Sequence, residues 1–245
     1  IGRNDADVHF ITGGTQTNLI TIAAALRPWQ AVIATDKGHI NVHETGAIES
    51  TGHKVIAVPS ADGLVSPAEI EKVIKSHTDE HMVKPAMVYI SNATEIGTIY
   101  HKEELKQIAE VCREFGLYLF MDGARMGAAL AAKDNDVSFN DLCTYCDVFY
   151  LGGTKNGALF GEAVIIVNDK LKKDFRYMIK QRGGMLAKGW LLGVQFAALF
   201  EGNRYIEIAA HANRMAQKLQ DAMEASGLPF LIKTTTNQIF PVLPN

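Results

Sequence analysis

The chain has 245 residues, 47% of them hydrophobic and 21% charged, with a net charge of −3. These are globular values with room for one large domain or a domain plus part of a second, and the near-neutral charge gives no reason to expect nucleic acid or an anionic membrane as partner. No apolar stretch approaches a membrane span, no basic segment leading into an apolar one opens the chain, and three cysteines in a chain this long point to a reducing, cytoplasmic setting rather than a disulfide framework.

Strand-like and helix-like segments alternate from the start. Residues 8–12 form a short apolar run beside glycines, and residues 15–26 carry Leu19, Ile22, Ala23 and Leu26 at helical spacing, with Pro28 after the stop. Residues 31–35 read as a second strand, 39–50 as a helix and 54–59 as a third strand. Ser66, Pro67 and Glu69 read as the N-cap, first position and capping-box acid of the next helix. A strand at 86–91, a helix at 103–115 and strands at 117–121, 147–151 and 163–167 continue the pattern.

Repeated βα units predict a three-layer α/β/α fold around a mostly parallel sheet. From Lys170 onward helical periodicity dominates (170–180, 186–200 and 205–225), and two strand-like pieces follow, one of them at 238–243. That shift predicts a large domain over 1–201 and the start of a small α+β domain over 202–245. Both ends read as cut, because the first motif follows Ile1 closely and the last strand has no partner in the sequence.

Two segments leave strand ends with chemistry attached. Asp122, Gly123, Ala124 and Arg125 follow the run 117–121, and Gly152, Gly153, Thr154, Lys155, Asn156 and Gly157 follow the run 147–151. The C-terminal ends of parallel strands are where open α/β sheets bind ligands. A lysine among glycines can approach a flat ligand closely. A Schiff-base lysine with an acidic partner for a ring nitrogen is what pyridoxal 5′-phosphate requires of a protein. Taken alone, Asp122 reads equally well as a helix N-cap or as a partner of Arg125, whose planar fork suits a carboxylate.

Other candidates are open on their residues alone. Gly13, Gly14, Thr15, Gln16 and Thr17 stand between a strand and a helix. They read either as a phosphate cradle of exposed N–H groups or as a capped turn. His39 opens a helix after a strand and reads either as a stacking or proton-moving group or as a partly exposed histidine. His43 lies four residues on, but Ile40 stands where the zinc motif needs a glutamate, so no metal site is expected. Cys143 and Cys146 form a CxxC that suits redox or half a zinc site, or plain packing before a buried strand.

Together, Gly14 to Asn18, His39 with Glu44, Asp122 to Arg125 and Thr154 to Gly157 resemble the threonine aldolase and β-eliminating lyase family of pyridoxal phosphate enzymes, in order and rough spacing, from Phe10 to about Met185. The resemblance implies the aspartate aminotransferase fold. It implies that Lys155 carries the cofactor, Asp122 meets the pyridine nitrogen, His39 stacks on the ring, Gly14, Thr15 and Gln16 hold the phosphate, and Arg125 grips the substrate carboxylate. It further implies an amino-acid substrate, a homodimer or homotetramer, and cleavage of a β-hydroxy amino acid into glycine and an aldehyde. β-Elimination or transamination on the same fold is the neighbouring alternative; an inactive cofactor-binding interaction module is one of another class. The family's aldolases often carry a second histidine near the substrate hydroxyl, and residues 91–97 contain none.

Overall fold

The computed structural model describes residues 1–244. In chain order the elements are β1 (Asp7–Ile11), α1 (Gly14–Ala25), β2 (Gln30–Thr35), α2 (His39–Val42), β3 (Val55–Val58), α3 (Pro67–Ser76), β4 (Lys84–Ser91), α4 (Lys102–Phe115) and β5 (Tyr118–Asp122). There follow α5 (Met126–Leu130), α6 (Phe139–Tyr145), β6 (Val148–Gly152), β7 (Glu162–Ile166), α7 (Asp169–Lys172), α8 (Phe175–Gln181), α9 (Trp190–Phe200) and α10 (Arg204–Ala225).

The strands form one seven-stranded sheet in the order β1-β7-β6-β5-β4-β2-β3. β7 runs antiparallel to both of its neighbours, while β2, β3, β4, β5 and β6 pair in parallel. The expected mostly parallel three-layer architecture is therefore present, and its cause is visible in the alternation along each strand. Ile33, Val88, Ile90, Leu119, Met121, Phe149 and Leu151 pack on one face with Leu105 and Ile108 of α4 and Phe196 of α9. Val32, Ala34, Met87, Tyr89, Phe120, Val148 and Tyr150 pack on the other with Ile20 and Ile22 of α1 and Ile179 of α8. Near-continuous apolar runs serve strands buried on both sides.

Helix α4 shows how local signals agree with the packing. Leu105, Ile108, Ala109 and Cys112 recur on one buried face. Gly116 ends the helix at φ 66°, and the N–H of Leu117 returns to the carbonyl of Cys112 at 2.8 Å. At α3, Ser66 caps as expected, accepting from the Glu69 N–H at 3.3 Å. Glu69 makes no return bond among the described residues, so only half of the expected capping box exists.

Three expected elements differ. The helix expected over 39–50 stops at Val42, because Thr45 and Gly46 adopt φ of 52° and 72° and turn the chain out of the helix. The helix expected over 170–180 is broken into α7 and α8 by Asp174 at φ 61°. The strand expected over 238–243 is reduced to a single bridge between Phe230 and Pro241.

Candidate active site

The parallel strands point their C-terminal ends at one edge of the sheet, and five loops leave from there. After β1 comes the turn into α1, after β2 the segment with His39, after β4 the loop with Glu95, after β5 the Asp122 segment, and after β6 the Lys155 segment. The first residue of antiparallel β7, Glu162, lies at the same edge, opposite Gly152. These pieces enclose a cleft of about 270 Å³. Gly14, Thr15, His39, Asp122, Arg125 and Lys155 all line it. Gln16 does not: its amide is held by Thr12 Oγ1 at 2.5 Å and the Arg182 carbonyl at 3.2 Å, so only its main chain remains at the helix start.

Two glycines make the cleft possible, for a reason different from close approach to a ligand. A Cβ on Gly123 would stand 1.7 Å from the Tyr150 carbonyl oxygen, and one on Gly152 would stand 2.4 Å from the Ala124 oxygen. The backbones leaving β5 and β6 therefore touch, and Gly152 N–H donates to Gly123 O at 2.9 Å. This contact fixes the Asp122 and Lys155 segments to each other.

Asp122 follows Phe120 by two residues and so faces the α1 layer. Its side chain is buried there at 4% exposure. Oδ2 accepts from the Tyr89 hydroxyl at 2.5 Å and from Asn18 Nδ2 at 3.1 Å, and Oδ1 accepts from Ala124 N–H at 2.9 Å. It neither caps a helix nor pairs with Arg125: the next helix, α5, begins at Met126. Three donors offset the cost of burying this carboxyl group.

His39 Nδ1 lies 2.8 Å from Glu44 Oε1, and the same oxygen accepts from Asn18 Nδ2 at 2.7 Å. The hydrogen bond to Glu44 holds the imidazolium pKa above its ordinary value against the opposing effect of burial. Asn18 thus bridges two carboxylates. It stands one turn into α1, fully buried. The α1 N-terminus has no side-chain cap, so the N–H groups of its first turn face the cleft mouth as donors for an anion.

Lys155 stands at the exposed rim of the cleft. Desolvation by the surrounding walls, together with the Arg125 guanidinium, pushes its ammonium below the ordinary lysine range. Two acids that the sequence reading did not single out share the cleft. Burial raises the carboxyl of Glu95, and burial pushes that of Glu162 up to about 7. Tyr150 also lines the cleft, with its hydroxyl buried and without a partner. Tyr89 and Tyr150 were detectable as polar-tipped residues inside apolar runs. Asn18 ends the Gly14–Asn18 motif, but nothing local shows that its amide joins Glu44 to Asp122.

The cysteines take no part here. Cys112, Cys143 and Cys146 are free and buried, and burial lifts the thiol of Cys112 to about 12, which makes it inert as a nucleophile.

The architecture is that of the aspartate aminotransferase fold. A single-mutant Thermus thermophilus aspartate aminotransferase superposes with a TM-score of 0.71 at 14% identity, over 94% of this chain and 59% of that one. A threonine aldolase from Leishmania major is far more similar, with a TM-score of 0.98 at 54% identity over 99% of this chain and 71% of that one. The low specificity L-threonine aldolase of Pseudomonas sp. (strain NCIMB 10558) is 35% identical over 241 residues, spanning 97% of this chain and 70% of its own length. The profile of the beta-eliminating lyase family matches residues 4–244. The chain belongs to the beta-eliminating lyase family, and the expected fold and family are both borne out. No helix among the described residues is long and apolar enough to cross a membrane.

Proposed function

We propose that this protein is a pyridoxal 5′-phosphate-dependent lyase that cleaves the Cα–Cβ bond of a β-hydroxy amino acid, releasing glycine and an aldehyde. The observation that carries the reading is Lys155, with its amine pKa lowered, in one cleft with the buried, triply bonded carboxylate of Asp122. The threonine aldolases to which the chain is similar support the choice of reaction.

The residues fit the cofactor. The uncapped start of α1 at Gly14, Thr15 and Gln16 offers main-chain donors to a phosphate. The orphaned Tyr150 hydroxyl beside Gly14 offers a further partner. Lys155 holds the cofactor through its ε-amino group, made nucleophilic by its lowered pKa. Asp122 would meet the ring nitrogen and favour its protonated form, and His39 would lie against the ring face. Pyridoxal phosphate bound there supplies an electron sink for the bond broken at the substrate Cα. Arg125 has no carboxylate partner among the described residues, and its guanidinium takes the substrate carboxylate in bidentate fashion. Lys155 would also be placed to return a proton to the substrate Cα.

We read the working unit as a homodimer or homotetramer in the cytoplasm. The apolar face that α9 leaves in solvent, with Trp190 at 63% and Val194 at 57% exposure, supports the oligomer.

Borohydride reduction of cofactor-loaded protein followed by peptide mapping tests the site. The label belongs on Lys155, and a label on another lysine refutes the assignment. Product analysis with a panel of amino acids tests the reaction. Glycine plus aldehyde supports the aldolase; pyruvate plus ammonia, or a 2-oxo acid, replaces it with β-elimination or transamination.

A further inference from the structure

Cleavage between Cα and Cβ of a β-hydroxy amino acid requires the hydroxyl to lose its proton, so a base must stand free in the cleft. The polar groups that line it are mostly committed. His39 Nδ1 is bonded to Glu44. Asp122 is held by three donors. Glu162 Oε2 accepts from Gly153 N–H at 3.0 Å. Lys155 and Arg125 are cations assigned to the cofactor and to the substrate carboxylate.

Glu95 is different. Its Oε1 accepts both available donors, Ser91 Oγ at 2.7 Å and His39 N–H at 2.9 Å. Its Oε2 has no hydrogen-bond partner among the described residues, and the side chain lines the cleft. The loop that carries it is braced from the C-terminal segment. Gln238 Nε2 donates to Glu95 O at 3.2 Å, and Thr236 Oγ1 donates to Gly97 O at 3.0 Å. A side chain pinned through one oxygen, on a braced loop, with the other oxygen free is a preorganised proton acceptor.

We propose that Glu95 is the catalytic base that takes the β-hydroxyl proton of the substrate. This rests on the aldolase reading above, and it assigns to a carboxylate the task for which residues 91–97 hold no histidine. The hydroxyl O–H bond breaks and its proton passes to Glu95 Oε2. The Cα–Cβ bond breaks with its electron pair left on Cα, and the oxygen closes a C=O bond to Cβ as the aldehyde leaves. A proton then reaches Cα to give glycine, and Glu95 returns its own to solvent. Burial raises the Glu95 carboxyl above its ordinary value, which makes it the stronger proton acceptor. The charged groups facing it across the cleft are His39, Asp122, Arg125, Lys155 and Glu162.

The test separates two reactions of one cofactor-loaded protein. Exchange of the glycine Cα proton with deuterated water, followed by NMR, involves no hydroxyl. Cleavage of a β-hydroxy amino acid does. Glu95→Gln keeps an oxygen for Ser91 and His39 but cannot accept a proton. It is expected to lower cleavage by roughly 100-fold or more, with glycine exchange and cofactor absorbance falling far less. Wild-type kcat/KM is expected to drop on an acid limb that the residual activity of the variant lacks. Cleavage retained near the wild-type rate overturns the assignment, and so does an equal fall of cleavage and exchange, which marks a structural role. If wild-type protein exchanges the glycine proton but cleaves no β-hydroxy amino acid, the aldolase reading itself falls, and the role of Glu95 with it.

Discussion

Glu162 offers a stability measurement that needs no substrate. It begins β7 at 3% exposure, and its carboxyl is pushed up to about 7 from an ordinary 4.5, chiefly by burial. The folded protein therefore binds this proton more tightly than the unfolded chain does. Its contribution is fully present below the unfolded value and is lost as pH rises through the folded one. At 1.36 kcal/mol per pKa unit the full window is worth about 3 kcal/mol, of which about 2.5 kcal/mol falls between about pH 5 and about pH 8.

Glu162→Gln removes the titration while leaving an oxygen to accept from Gly153 N–H. Urea unfolding of cofactor-free wild type and variant, run across that pH range, isolates the effect. Other titrating groups cancel in the comparison to the extent that they act independently of this site. The variant is expected to gain on the wild type by about 2.5 kcal/mol as pH rises, with the urea m-value unchanged. Parallel pH profiles for the two proteins would refute the argument that a buried, destabilised carboxylate sits at this strand end.

Asp122→Ala is expected to reduce turnover far more than cofactor content, measured by absorbance and product assay, because the phosphate anchor at α1 remains. It also strands the buried Tyr89 hydroxyl, so urea midpoints should show a loss of roughly 1–3 kcal/mol. Arg125→Lys should raise KM for the amino acid roughly tenfold or more while cofactor binding survives, since an ammonium cannot reproduce the planar fork; an unchanged KM makes Arg125 structural. Gly123→Ala should fail to fold or melt far below wild type, because its Cβ would lie 1.7 Å from a backbone oxygen. Gly13→Ala, where a Cβ meets nothing within 4 Å, should melt normally.

How legible each part was follows from how local its cause is. The inner strands were readable because they are buried on both faces and so are largely apolar, and helices α1, α3 and α4 because their starts and stops are marked nearby. The break after Val42 was not, because Thr45 carries no sign that it must adopt a positive φ. Lys155, Asp122 and Arg125 were readable because they directly follow strand ends among glycines. Glu162 was passed over because it belongs to a strand that runs the other way. A residue that starts an antiparallel strand stands at the edge where its parallel neighbours finish, and strand direction is a property of the whole sheet. Glu95 stands four residues beyond the end of β4, in a loop whose path only the fold defines.

The same distinction explains the break in the α2 region. The turn at Thr45 and Gly46 accompanies a Glu44 side chain with no exposed area, bonded to His39 on one side and Asn18 on the other. Asn18 passes the connection to Asp122, and Asp122 to Tyr89. Four elements are joined in this way: the loop after β2, helix α1, the end of β5 and strand β4. The group assigned to the ring face and the group assigned to the ring nitrogen are therefore positioned by one buried chain of hydrogen bonds. A buried network is favourable only when its members are satisfied together, and in this one Asn18 Oδ1 and Glu44 Oε2 are buried without a partner. Its members lie far apart in sequence, which is why a reading of local segments named Asn18 and Glu44 within their motifs but not the bonds that join them to Asp122 and His39.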